Sequence, residues 1–104
     1  MDLKAMASNI GLDEEDFIEL LEMLVNVSLT DIKNFETALA SGNYTSAAMS
    51  AHSIKGASAN LGLTDISAVA AELEKASKNS DPSSIPEKIA SLKHQLNHIS
   101  ETLK

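Results

Sequence analysis

A chain of 104 residues has the size of one domain, and 43% apolar residues suffice for a single core. Its 15 acidic and 8 basic residues give a net charge of −7; with one tyrosine, two phenylalanines and no tryptophan, this argues against nucleic-acid binding by phosphate neutralisation and base stacking. The lack of cysteine excludes disulfides and thiolate metal sites, and no basic cluster or apolar run of roughly 20 residues points to a membrane.

The start of the chain, Met1 to Ser8, lacks the apolar core of a signal peptide. Together with the missing cysteines, this leads to an expected cytoplasmic location. A short helix is predicted over about residues 2–8, ended by Asn9-Ile10-Gly11. Asp13 then reads as an N-cap, with Glu14, Glu15 and Asp16 in the first turn, where negative charge is favourable. Leu12 and Phe17 have the spacing of a hydrophobic staple. Phe17, Leu21, Leu24, Ser28, Ile32, Phe35 and Leu39 continue one apolar stripe to about Ala40, with Ser28 the place where a break would fall. Gly42 stops this helix.

Asn43 caps the next helix, whose core face is Tyr44, Ala47, Ala51, Ile54, Ser58 and Leu61, up to Gly62. Ile66, Val69, Ala70, Leu73 and Ala76 mark a fourth element to about Lys78. Asn79-Ser80-Asp81-Pro82-Ser83 is a turn. Ser84 and Glu87 have capping-box spacing, and Pro86 suits a first turn. Ile85, Ile89, Leu92, Leu96, Ile99 and Leu103 form the last stripe. No stretch alternates apolar and polar residues over a strand's length. The expected fold is all-α: one domain over 1–104, an antiparallel up-down four-helix bundle over about 13–103 with a short extra N-terminal helix.

The third helix carries the chemistry. At about 100° per residue, His52 lies roughly one residue step off the apolar stripe, on a shoulder it shares with Thr45, Ala48, Gly56 and Ala59. All four are small, so a partner could approach the imidazole closely. Glycine inside a helix costs about 1 kcal/mol against alanine, and Gly56 therefore asks for a reason. Lys55 is a helical neighbour of His52 that could meet negative charge arriving on the ring. A neutral ring nitrogen is available as a nucleophile near physiological pH. Met49 falls on the exposed side near the same shoulder and is a candidate docking contact, whereas Met6 and Met23 are core filler or adaptable contacts.

His94 and His98 stand at i and i+4, a spacing that can bind metal, but they lie off the apolar stripe with no third ligand at motif spacing, so no metal site is assigned. No GxxxxGK[ST] loop or kinase signature is present, and the chain is expected neither to bind ATP nor to phosphorylate itself.

The run His52-x-x-Lys55-Gly56-x-Ser58, followed by Leu61-Gly62, resembles the signature of histidine-containing phosphotransfer (HPt) domains. The long acidic-capped helix, the Gly42-Asn43 turn, Leu73-Glu74 and the final helix also fall where that family has them, over roughly residues 10–103. The resemblance implies that His52 accepts a phosphoryl group and passes it on, that Lys55 helps hold it, and that Gly56 leaves room for the partner. Ser58 falls on the core side, where packing or a helix back-bond is the simpler role. Asn43 stands where the family has an acidic residue, and both types cap helices. The implied partner is a receiver domain of a response regulator or hybrid kinase, which brings the acidic pocket and Mg²⁺; the chain itself is expected to be a monomer without a bound cofactor. The competing reading is a helical interaction or scaffold domain of the same fold that carries no phosphate.

Overall fold

The computed structural model describes residues 1–104 and contains five helices: α1 (Leu3–Asn9), α2 (Glu14–Ala40), α3 (Tyr44–Asn60), α4 (Thr64–Lys78) and α5 (Ile85–Thr102). Asp2, Asp13 and Asn43 each accept a hydrogen bond from a backbone N–H three residues on, at 3.0, 2.9 and 3.0 Å, and so start α1, α2 and α3. The acidic cap of α2 is formed as its sequence predicts. That helix runs unbroken through Ser28 for 27 residues. At 1.5 Å per residue it spans about 40 Å, and it sets the 42 Å long axis of the molecule.

The first three turns are closed by glycine. At the end of α3, Gly62 takes φ 75°, its N–H reaches the Ala59 carbonyl, and the Leu63 N–H reaches Ser58 O at 2.9 Å. This is a Schellman closure. The turn after α4 repeats the pattern without glycine: Ser80 adopts φ 51°, and the Asp81 N–H reaches Ala76 O at 2.9 Å.

One helix start differs from the sequence reading, and another has no cap assigned in it. Helix α4 begins at Thr64, ahead of its first core residue Ile66, with Leu63 as a cap that makes no side-chain hydrogen bond. The capping box expected at Ser84 and Glu87 is not formed. Ser84 already has helical dihedrals (φ −100°, ψ −4°), whereas a capping side chain folds back from an extended residue. Asp81 instead organises the turn, accepting from Ser83 N at 3.1 Å and Ser83 Oγ at 2.7 Å.

Helix α2 packs on α3 and α5, α3 on α4, and α4 on α5, which closes a four-membered antiparallel ring; α1 packs on α2. Phe17, Leu21, Phe35, Ile54, Leu73, Ile85, Leu92 and Leu96 are fully buried at its centre. No helix is long and apolar enough to cross a membrane. The ring order sets the site: α3 lies between α2 and α4, so its outward shoulder is flanked by side chains from both neighbours.

Candidate functional site

His52 projects from the middle of α3, with 65% of its side chain exposed. Its Nδ1 lies 3.0 Å from Oε2 of Glu74, which reaches across from α4. The other carboxylate oxygen, Oε1, accepts from Lys55 Nζ at 2.6 Å, and Lys78 Nζ lies 3.2 Å from Oε2. Only 9% of the Glu74 side chain is exposed. A carboxylate so covered needs donors, and here three converge on it.

Lys55, chiefly, and then Lys78 and His52 hold the Glu74 carboxyl down to about 2 from its usual 4.5, against burial, which pushes the other way. Glu74 is therefore an anion, able to accept hydrogen bonds but not to donate them. In the neutral imidazole, Nδ1 then carries the ring proton and donates it to Glu74, and the free lone pair sits on Nε2. The geometry thus selects one tautomer and leaves its nucleophilic nitrogen on the open side of the ring.

The helix segment bearing the histidine is braced on both flanks. Toward α2, Ser53 Oγ donates to Asp31 Oδ2 at 2.8 Å. Toward α4, Ser67 Oγ donates to the Lys55 carbonyl at 3.1 Å. Ser58 is buried and back-bonds to Ile54 O at 2.6 Å, the packing role its wheel position predicts.

Residues 19–102 match the sequence profile of the Hpt domain. The chain belongs to the Hpt domain family. Domains of this family carry phosphoryl groups on histidine in phosphorelays, and the match encloses His52, Lys55, Gly56 and Glu74. Among solved structures, the fold is similar to that of histidine-containing phosphotransfer protein B (HptB) from Pseudomonas aeruginosa PAO1, with a TM-score of 0.83 over 99% of this chain and 90% of that one, at 23% sequence identity. No curated protein matches the chain in sequence.

In this Hpt domain Gly56 is exposed, and a Cβ added to it would meet no other atom within 4 Å. Ala59 and Thr45 are exposed on the same shoulder, and Met49 is 67% exposed. Ala48 departs from the expectation: it is only 6% exposed, because it sits on the flank of the shoulder that α4 covers. It forms part of a groove beside His52 without offering an open face. Tyr44, assigned to the core face, is half-buried and lines that groove. Met23 is 61% exposed and does not fill the core, while Met6 is half-buried and packs against it. His94 and His98 are both exposed and open onto different grooves.

Sequence reading gave Glu74 and Lys78 no role in the site. A signal was present: Glu74 falls four residues after Ala70, inside the apolar stripe of α4, where a carboxylate must find a cation. Lys78, one further turn along, is its helical neighbour.

Proposed function

We propose that Nε2 of His52 takes a phosphoryl group from the aspartyl phosphate of a receiver domain and returns it to the aspartate of another. The observation that carries this reading is the contact between Nδ1 and Glu74, which holds the ring proton away from the exposed nitrogen. The Nε2 lone pair attacks phosphorus; the N–P bond forms as the P–O bond to the aspartate breaks, and the carboxylate leaves with the electron pair. The ring keeps its Nδ1 proton and gains positive charge, which the Glu74 anion faces directly. The transition state is loose, so holding donor and acceptor in line is most of the task. In this reading Mg²⁺ belongs to the acidic pocket of the receiver.

Gly56 supports close docking, since the space over it is unoccupied by this chain. Leu20, Met23 and Val27 of α2 are 36, 61 and 51% exposed and flank a shallow groove with Ala57 of α3 and Leu61, the residue that caps its end. Clustered apolar side chains on the α2–α3 face, next to Gly56 in the chain, suit a protein partner that buries them. Exposed Asp16 and Glu19 near the patch favour a partner with basic residues at its rim. A monomeric carrier in the cytoplasm meets these requirements.

The test is to mix the protein with a phosphorylated receiver domain and Mg²⁺ and follow acid-labile label. Label should appear on the wild type and be absent from His52→Gln, and radiolabelled ATP alone should label neither. Equal labelling of the mutant, or no transfer from a panel of receivers, would overturn the proposal.

A further inference from the structure

The groove between α3 and α4 beside His52 has a volume of about 560 Å³ and includes Tyr44, Thr45, Ser77, Lys78 and Ser80. Among these lining residues Ser77 is fully buried, and its hydroxyl has no hydrogen-bond partner. The two lysines that meet at Glu74 are tied unequally. Lys55 makes the shorter contact, 2.6 Å, on an oxygen it does not share, and only 34% of its side chain is exposed. Lys78 is held at 3.2 Å on the oxygen that already accepts from His52, and 66% of its side chain is exposed. With Lys78 withdrawn, Glu74 would still be paired by Lys55 on Oε1 and by the Nδ1 proton on Oε2. The carboxylate therefore has one cation to spare, and Lys78 is the one more loosely held.

Charge gives that spare cation a use. One carboxylate and two ammonium groups leave the cluster with one positive charge beside the ring, in a chain whose net charge is −7. A phosphoryl group on the ring adds nearly two negative charges and three acceptor oxygens. From its place in the groove wall, the flexible four-carbon stem of Lys78 can swing its ammonium toward the open side of the imidazole.

We infer that Lys78 is a second phosphate-holding residue, which leaves Glu74 for the phosphoryl oxygens when His52 is phosphorylated, while Lys55 keeps Glu74 anchored. The inference rests on His52 as the phosphoacceptor. It divides the two lysines by role: Lys55 chiefly maintains the ring tautomer through Glu74, and Lys78 stabilises the phosphorylated state.

The equilibrium of phosphoryl exchange with a receiver reads this out, combined with ¹⁵N NMR of the His52 tautomer in the unphosphorylated protein. In Lys78→Ala the equilibrium should shift several-fold toward the receiver, as expected for loss of one charge-assisted contact, with the Nδ1–H tautomer unchanged. Lys78→Arg should restore most of the shift, and added salt should narrow the gap between Lys78→Ala and wild type. Lys55→Ala should alter the tautomer balance. A Lys78→Ala equilibrium equal to wild type would overturn the inference and leave His52 phosphotransfer standing. A shift accompanied by loss of the Nδ1–H tautomer would overturn it too, because Lys78 would then act only through Glu74. Failure of the wild type to accept label at all would instead remove the phosphotransfer reading.

Discussion

A methyl group at Gly56 would touch nothing in this chain. The cost of a glycine in mid-helix is therefore not offset by any packing need inside the molecule, which is what the proposed clearance for a docking partner requires. Two outcomes separate these effects. Gly56→Ala should stabilise the fold by up to about 1 kcal/mol in denaturant titration, since the helix gains propensity without a clash. Gly56→Leu should leave thermal unfolding close to wild type while slowing phosphotransfer from a receiver. Transfer rates unchanged by Gly56→Leu would remove the clearance role. The histidine, its lysine neighbour and the glycine were all legible in the sequence because they share one helix. Ala48 was misjudged for the complementary reason: its angle on the wheel was right, but the cover over it comes from α4.

At the scale of the element, helix boundaries followed their chemistry where a side chain or a glycine decided them. Asp13 and Asn43 cap as read, and Gly11, Gly42 and Gly62 supply positive φ at three closures. The closure after α4 asks the same left-handed conformation of Ser80. A residue with a Cβ pays roughly 1 kcal/mol there. Ser80→Gly should therefore raise the melting temperature modestly, by a few degrees for a domain of this size. A lower melting temperature would show that the serine side chain contributes more than its backbone costs. Ser84 shows the limit of motif spacing: its capping-box partner stands at the right distance in sequence, but the incoming turn delivers Ser84 already helical. A cap depends on the dihedral of the residue as well as its type.

For the molecule as a whole, the Glu74 cluster joins α3 and α4 through a covered anion, and this makes part of the stability pH-dependent. The Glu74 carboxyl is lowered from 4.5 to about 2 in the folded state, so its contribution is complete above the unfolded value and is lost as pH falls through that interval. Wild type should exceed Glu74→Gln in stability at neutral pH, and the gap should close between about pH 4.5 and 2, measured by denaturant unfolding at each pH. A gap that stays constant across that range would show that protonation of Glu74 is not the linked event. The same anion orders the histidine tautomer, so the tie between two helices and the preparation of the nucleophile rest on one side chain.

The sequence by itself determined the helices, the bundle class and the histidine with its small-residue shoulder. These follow from periodicity and capping, which act over three or four residues and need no knowledge of neighbouring helices. Only the tertiary structure decided which nitrogen of His52 is free, because Glu74 stands 22 residues away and meets the ring only once α4 packs beside α3. It also showed that Lys55 and Lys78 share one carboxylate and that the space over Gly56 is open. Contacts between helices depend on how each is rotated and which neighbour it faces, and those quantities are set by burial of the common core, not by any one segment.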